Sequence, residues 1–118
     1  MHGGHWRVRS RVERFVEPAV LLLLEERSAH GYDLLERVRE LSGEPIDMGN
    51  LYRVLRALEE DGLVRSEWQA EGPGPARRSY EITDAGGRLL ATWAESLRAT
   101  HGRIGAFLER YERGKEVK

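Results

Sequence analysis

Amide, phenol and guanidinium side chains that could contact a polar ligand are concentrated in residues 47–63, whose sequence is DMGNLYRVLRALEEDGL. The apolar residues between them recur at i, i+4 and i+7, the spacing of one face of an α-helix; they are Leu51, Leu55 and Leu58. Asp47 can cap the start of this helix by accepting a backbone hydrogen bond. Gly62 can adopt the left-handed backbone conformation in which a helix often ends. The segment therefore predicts an amphipathic helix with a polar outer face.

The outer face of this helix has two interpretations. In a recognition helix, its N-terminal residues would face a groove of DNA; they are Met48, Gly49 and Asn50. In an ordinary amphipathic helix, the polar face would simply lie in solvent while the apolar face covers a core. Taken alone the segment favours the second interpretation, so the role of this helix has to be inferred from the elements on either side of it.

Length and composition restrict the class of protein. A chain of 118 residues fits one domain. It has no cysteine, which suits a cytosolic protein and predicts neither disulfides nor a thiolate metal site. Its longest apolar run, residues 19–24, is too short to span a bilayer, and the N-terminus lacks the apolar region of a secretory signal. The net charge of −1 is weak evidence against a DNA-binding protein, so support for DNA binding has to come from the local distribution of charge.

The hydrophobic pattern predicts three helices at about residues 17–27, 31–41 and 48–61. Pro18 suits the first position of the first helix, because its missing N–H would be unpaired there. Residues 27–30 are predicted to be a turn, and residues 42–45 contain Gly43 and Pro45, which end the second helix. The inward stripe of that helix is Leu34, Leu35, Val38 and Leu41. The short connection between the last two helices is typical of a helix-turn-helix.

Two alternating segments follow and predict a β-hairpin. Residues 63–68 alternate apolar and polar side chains, residues 71–75 are a glycine–proline loop, and residues 77–82 return as a second strand. Thr83 can cap a further helix. This order of elements is that of a winged helix. Arg77 and Arg78 would lie near the tip of the wing, where cations can reach a DNA backbone or a minor groove.

The C-terminal segment has the clearest periodicity in the chain. Apolar residues alternate at spacings of three and four, as in a coiled coil; this seam is Leu90, Trp93, Leu97, Thr100, Ile104, Phe107 and Tyr111. A helix this long and apolar exceeds what so small a winged helix can cover, which predicts a homodimer. The alternative is that the helix folds back on its own domain.

These elements predict a mainly α fold with a small β-hairpin, a winged helix-turn-helix followed by a long C-terminal dimerisation helix. Residues 1–16 form a basic N-terminal arm, residues 17–83 the DNA-binding domain, and residues 84–118 the dimerisation helix and tail. His2 and His5 could bind a metal together with His30 or His101, but two histidines near a chain terminus are a weak signal, and no metal site is predicted.

Five short motifs occur in order along the chain. They are His30-Gly31-Tyr32, Leu51-Tyr52-Arg53-Val54-Leu55 with Leu58-Glu59, Asp61-Gly62-Leu63-Val64, Arg77-Arg78-Ser79-Tyr80, and Tyr80-Glu81-Ile82-Thr83-Asp84-Ala85-Gly86. Together they resemble the PadR-like family of bacterial transcriptional regulators, over residues 16–90. The resemblance implies a winged-helix dimer, usually a repressor, whose ligands often act through the C-terminal helix. Asn50 stands where this family commonly has threonine or serine, and Arg53 replaces a frequent proline, so the resemblance does not extend to the identity of the operator.

The resemblance also implies roles for single residues. Asn50 and Arg53 are candidates for base contacts, since amides and guanidinium groups can pair bidentately in the major groove. Tyr52 is a candidate phosphate contact through its hydroxyl, with its ring beside Leu55, and Arg56 is another. Tyr32 is expected to be structural, with its ring packed against the third helix.

No nucleophile–base pair, catalytic carboxylate pair or phosphate-binding loop is evident, so an enzyme is not expected. A winged helix that binds protein rather than DNA is the alternative, and the near-neutral charge permits it. Trp93 lies on the predicted dimer seam. It either fills the interface or faces its copy across the two-fold axis and leaves a slot for a planar, preferably cationic, small-molecule effector. No cofactor is predicted.

Overall fold

The computed structural model describes residues 15–70 and 72–116 and contains four helices and three strands over that part of the chain. The elements, in chain order, are α1 (Val16–Glu26), β1 (Ala29–His30), α2 (Gly31–Ser42), α3 (Met48–Glu60), β2 (Val64–Gln69), β3 (Arg77–Ile82) and α4 (Asp84–Glu116). The predicted winged helix-turn-helix with a long C-terminal helix is confirmed. Each of the three predicted N-terminal helix boundaries lies within one residue of the observed one.

The sheet contains a strand that was not expected. Residues 29 and 30, predicted to be part of a turn, form β1 and pair antiparallel with β3, Ala29 opposite Tyr80 and His30 opposite Ser79. The strand order is therefore β1-β3-β2, with β3 in the centre. A strand of two residues is too short to have a visible period of two, which is why the sequence pattern did not reveal it. Its effect is to tie the start of α2 to the wing.

The core lies between the three N-terminal helices and the inner face of the sheet. Its largest fully buried side chains are Leu21, Leu34, Leu51, Leu55, Val20, Val38 and Val64. One predicted core position is wrong. Leu41 is 40% exposed, because the buried positions of α2 end at Val38 and Leu41 lies in the last turn, past the core.

The junction between the wing and α4 is closely packed. The hydroxyl of Thr83 donates to the carbonyl of Gly62 (2.7 Å) and accepts from the N–H of Gly86 (3.1 Å), so the predicted Thr83 cap is confirmed. Gly86 is buried, and a Cβ at this position would overlap the carbonyl of Leu63 and lie 2.6 Å from Cγ1 of Ile82. The missing side chain thus allows the start of α4 to pack directly against the segment that follows α3, at Leu63.

Within the described residues, only the first part of α4 packs against the other elements. Three of its residues pack against the core cluster: Leu89, Leu90 and Trp93. Every residue from 101 to 116 is exposed, and the helix has 33 residues, about 50 Å at 1.5 Å per residue. Over the described residues, no helix is both long enough and apolar enough to cross a membrane.

Candidate nucleic-acid interface

Helix α3 has the two faces that its sequence predicted. Leu51, Leu55 and Leu58 are buried against the core. The side chain of Asp47 accepts the backbone N–H of Asn50 at 2.8 Å, which confirms the N-cap, and Gly62 follows the helix with a φ of +75°. The exposed residues of α3 include Gly49, Asn50, Tyr52, Arg53 and Arg56. The predicted base and phosphate contacts on this helix are thus accessible, apart from Met48, which is half-buried.

Asn50 and Arg53 form one polar surface. They are one helical turn apart, and a terminal guanidinium nitrogen of Arg53 donates to Oδ1 of Asn50 at 3.3 Å. This contact leaves the amide N–H donors of Asn50 and the remaining guanidinium donors of Arg53 directed to solvent. Two residues that present donors side by side suit the recognition of paired acceptors, such as those on the edge of guanine.

Tyr52 and Met48 pack against Gly31 at the start of α2. A Cβ on Gly31 would lie 2.9 Å from Cε of Met48 and 3.0 Å from the hydroxyl oxygen of Tyr52. The missing side chain of Gly31 therefore lets both side chains lie against the N-terminus of α2. The ring of Tyr52 is 41% exposed, as a phosphate contact requires.

The expected position of Tyr32 is wrong. Its side chain is 78% exposed rather than packed against α3, because Met48 and Tyr52 occupy the space beside Gly31. Tyr32 instead lines the cleft described below.

The two arginines of the wing differ in their surroundings. They are adjacent at the start of β3, and both line the cleft described below. Arg77 is exposed and pairs in register with Gln69. Arg78 is bound by its own domain: its Nε donates to Ser66 (2.8 Å), and its guanidinium lies 3.8 Å from the carboxylate of Glu59.

Ser66 completes a link between the wing and α3. Its hydroxyl donates to Oε2 of Glu59 at 2.8 Å and accepts from Arg78. The guanidinium of Arg78 also lies 5.3 Å from the ring centroid of Trp68, its cross-strand neighbour. Arg78 was predicted as a DNA contact, and the structure places it where it fixes the wing against α3.

A cleft separates α3 from the wing and is closed at one end by the start of α2. Its volume is about 690 Å³, and it is lined by His30, Gly31, Tyr32, Tyr52, Arg56, Glu59, Trp68, Pro75, Ala76, Arg77, Arg78 and Tyr80. Four of these residues are aromatic and three are arginines, against one carboxylate. Burial raises the pKa of the Tyr80 phenol above its ordinary value, and the nearby charge of Arg78 opposes this effect, so Tyr80 is neutral at physiological pH.

The predicted dimer seam divides into two parts. Leu90 and Trp93 pack against the core of their own chain, and Nε1 of Trp93 donates to Glu17 at 2.9 Å. Leu97 is half-buried. Beyond it the seam is open: Ile104 is 44% and Phe107 68% exposed.

Trp93 also borders a second cavity, of about 610 Å³, between α1, α3 and α4. Its lining is Val16, Glu17, Glu44, Pro45, Ile46, Asn50, Val54 and Trp93. Two carboxylates and an indole thus share a cavity with Asn50 of α3. The sequence had connected neither glutamate with Trp93, because they are distant along the chain.

The remaining candidates from the sequence concern metal binding and the basic N-terminal arm. Among the described residues, no group of three or more histidine, cysteine, aspartate or glutamate side chains could hold a metal ion. His2, His5 and the basic arm through residue 14 lie outside the described residues. Sequence reasoning missed the cleft residues Trp68 and Glu59, and also Ser66, which links Arg78 to Glu59. The alternation of β2 places Ser66 and Trp68 on one face, but only the register identifies Arg78 as their neighbour.

Comparisons with known proteins agree with this geometry. The model of the transcriptional regulator PadR-like family matches residues 20–92. A protein of Mycobacterium tuberculosis described as a probable transcriptional regulator is 33% identical over 104 residues, which are 85% of this chain and 55% of that protein. The chain therefore spans about half the length of this relative.

Two solved structures are similar over most of their length. A PadR family transcription regulator from Clostridium difficile has a TM-score of 0.72 and 26% identity, with 80% of this chain and 98% of that chain covered. A conserved protein described as a potential transcriptional factor has a TM-score of 0.75 and 37% identity, covering 92% of this chain and 96% of the other.

Proposed function

Since the chain belongs to the PadR-like family of transcriptional regulators, we propose that it binds a pseudo-palindromic operator as a homodimer and represses transcription there. In this role α3 enters the major groove, Asn50 and Arg53 contact base edges, and Tyr52, Arg56 and Arg77 contact the backbone. Regulation of transcription, rather than an enzymatic reaction, is the activity of the family.

The observation that carries the proposal is the division of α3 into two faces. Its three core leucines are buried, whereas Asn50 and Arg53 are exposed and hydrogen-bonded to each other at 3.3 Å. The N-cap by Asp47 fixes the start of the helix from which they project. This pair supports the proposal, because an amide and a guanidinium side by side on a solvent-facing surface can pair with the edges of bases.

The test is selection of binding sites from a pool of random duplexes by the purified protein. Affinity for the selected duplex and for a shuffled duplex is then measured at several salt concentrations, because the non-specific part of DNA binding falls steeply with salt. Asn50→Ala and Arg53→Ala should reduce the preference for the selected sequence, with Glu60→Ala, an exposed residue at the other end of α3, as the matched control. Equal affinity of the wild-type protein for both duplexes at all salt concentrations would refute specific operator binding.

Dimerisation is proposed through the open part of α4. Four large apolar side chains are 44–68% exposed there. Ile104, Phe107 and Tyr111 belong to the seam, and Leu108 widens it. Such a continuous apolar stripe on a helix that leaves its own domain is covered in solution by another helix, and a second copy provides a matching one. Two α3 helices related by a two-fold axis would then meet half-sites about one helical turn apart.

A small-molecule effector is proposed at the cavity beside Trp93. The ligand class is a planar cation, since an indole and two carboxylates, Glu17 and Glu44, line the cavity. Asn50 and Val54 line it as well, so a bound ligand would touch the helix that reads DNA. The ligand changes DNA affinity only to the extent that it prefers one arrangement of that helix.

Protein binding without specific DNA recognition is the alternative function. The observation that favours it is the net charge of −1, because most DNA-binding domains are basic. In the salt titration described above, a protein-binding module would show weak, sequence-independent DNA affinity.

A further inference from the structure

Two of the most exposed aromatic side chains of the described residues line the same cleft. Tyr32 is 78% exposed and Trp68 is 65% exposed, and both belong to the cleft between α3 and the wing. Tyr32 projects from α2 and Trp68 from β2, so the two rings come from elements that are far apart in sequence. Exposed aromatic groups that converge on one cavity mark an interaction site.

We propose that this cleft holds one sugar–phosphate strand of bound DNA, with Tyr32 and Trp68 as its aromatic walls. The proposal rests on the proposed function and adds two DNA-contacting residues to it. It also changes the role of Arg78 from a phosphate contact to a positioning residue for Trp68.

The charges in the cleft fit a phosphodiester. Among the described residues that line it, Arg56, Arg77 and Arg78 are cationic and Glu59 is the single carboxylate. Glu59 accepts a hydrogen bond from Ser66 and lies near Arg78. The carboxylate is thus occupied within the protein, while Arg56 and Arg77 are exposed. A strand in the cleft would meet an excess of positive charge together with the hydroxyl groups of Tyr32 and Tyr52, which are typical phosphate donors.

The aromatic groups fit the apolar parts of the same strand. Deoxyribose presents C–H groups that pack against an aromatic face, and such a contact is independent of sequence. The indole of Trp68 has its orientation supported by Arg78, whose guanidinium lies 5.3 Å from the ring centroid and is itself held by Ser66 and Glu59. A side chain with restricted motion loses less entropy on binding, which is an advantage for a wall of a binding cleft.

The experiment combines protein variants with changes at single phosphates. In the selected duplex, each phosphate is replaced in turn by an uncharged methylphosphonate, and affinities are measured for the full-length wild type, Tyr32→Phe, Tyr32→Ala and Trp68→Ala. Glu36→Ala on α2 and Glu67→Ala on β2 are the controls, because both residues are exposed and lie outside the cleft. Circular dichroism confirms that each variant is folded.

The expected result has two parts. Tyr32→Ala and Trp68→Ala each lower the affinity for the selected and the shuffled duplex alike, by about fivefold or more, as the loss of a backbone contact does. In addition, one phosphate of each half-site is sensitive to methylphosphonate in the wild-type protein and becomes insensitive in Tyr32→Phe, since the partner hydroxyl is gone. The controls bind as the wild type does.

The inference is overturned if Tyr32→Ala and Trp68→Ala bind both duplexes like the wild type, or if no phosphate loses its sensitivity in Tyr32→Phe. Either result leaves the proposed function in place, provided that the wild type still prefers the selected duplex. A wild type without that preference would instead refute the proposed function itself, so the two failures are distinguishable.

Discussion

The guanidinium of Arg78 lies 5.3 Å from the centre of the Trp68 indole, directly across the two strands of the wing. The same group reaches Glu59 of α3 at 3.8 Å and donates to Ser66 at 2.8 Å. One side chain thus connects the wing, α3 and an exposed aromatic ring.

The first prediction separates Arg78 from Arg56 by their salt dependence. Arg56→Ala removes an exposed cation of the cleft, so the slope of log affinity against log salt should decrease by about one per subunit. Arg78→Ala should lower affinity for the selected duplex about tenfold with little change in slope, because its charge is committed to Glu59 and Trp68. Fluorescence anisotropy titrations at four or more salt concentrations measure both quantities.

Arg65→Ala is the matched control for charge, since Arg65 projects from the opposite face of β2 and is paired with Glu81. If Arg78→Ala lowers the slope as much as Arg56→Ala does, Arg78 contacts phosphate directly and its positioning role is wrong.

The second prediction concerns Gly86 at the start of α4. Gly86→Ala should lower the free energy of unfolding by about 2–4 kcal/mol, because the new Cβ would overlap the backbone carbonyl of Leu63, which has little freedom to move. Gly87→Ala is the control: its Cβ would meet only Glu25 at 3.7 Å, and alanine should stabilise the helix by up to about 1 kcal/mol. Urea unfolding followed by circular dichroism gives both values, and equal effects of the two substitutions would contradict the packing argument.

The elements that the sequence predicted well are those that depend on local patterns. The leucines of α3, the Asp47 and Thr83 caps, and the alternation of the wing are each readable within one or two turns of chain. The cleft was not predictable, because it depends on the register that places Trp68 opposite Arg78 and on the pairing of β1 with β3. Trp93 shows the same limit: its periodicity assigned it to a partner chain, whereas its indole N–H bonds to Glu17, 76 residues away.

The third prediction follows from the raised pKa of Tyr80. Burial favours the neutral phenol in the folded protein, which raises its pKa. The stability that depends on the neutral form is fully present below the ordinary tyrosine pKa of about 10 and is lost as the pH rises above it, toward the higher folded-state pKa. The difference in unfolding free energy between wild type and Tyr80→Phe should therefore be constant from pH 7 to about 9 and move in favour of Tyr80→Phe above about 10.

Urea unfolding at a series of pH values measures this difference, with Tyr111→Phe, a half-exposed residue of α4, as the control that subtracts the general effect of high pH. A difference that stays constant through pH 11 would mean that Tyr80 ionises as easily in the folded protein as in the unfolded chain.

The fourth prediction tests the open part of α4 as the dimer interface. Phe107→Glu should dissociate the dimer, because a carboxylate buried in an apolar seam costs several kcal/mol. Phe107 is 68% exposed within its own chain, so the substitution should leave the fold of the subunit intact, unlike Leu97→Glu at a half-buried position. Ala106→Glu adds the same charge at an exposed position on the opposite face of the helix. Analytical ultracentrifugation at micromolar concentration should give a monomer for Phe107→Glu and a dimer for Ala106→Glu; a dimer in both would assign the interface elsewhere.

The last prediction concerns the proposed effector site beside Trp93. A planar cationic dye should quench tryptophan fluorescence on binding, since its ring would stack on the indole and its charge would lie near Glu17 and Glu44. Glu44→Gln removes one negative charge without touching the bond from Trp93 to Glu17, and should weaken dye binding about tenfold while neutral planar compounds are unaffected. Glu40→Gln, an exposed residue of α2 outside this cavity, controls for general electrostatic attraction.

DNA affinity measured with and without the dye then decides whether the site controls the protein. Because Asn50 and Val54 of α3 also line the cavity, a ligand there should weaken operator binding. Glu44→Gln should raise the dye concentration needed for this effect by the same factor by which it raises the dissociation constant of the dye. That equality follows from thermodynamic linkage between two sites on one molecule. A dye that binds with full dependence on Glu44 and leaves DNA affinity unchanged would establish a binding site without a regulatory role.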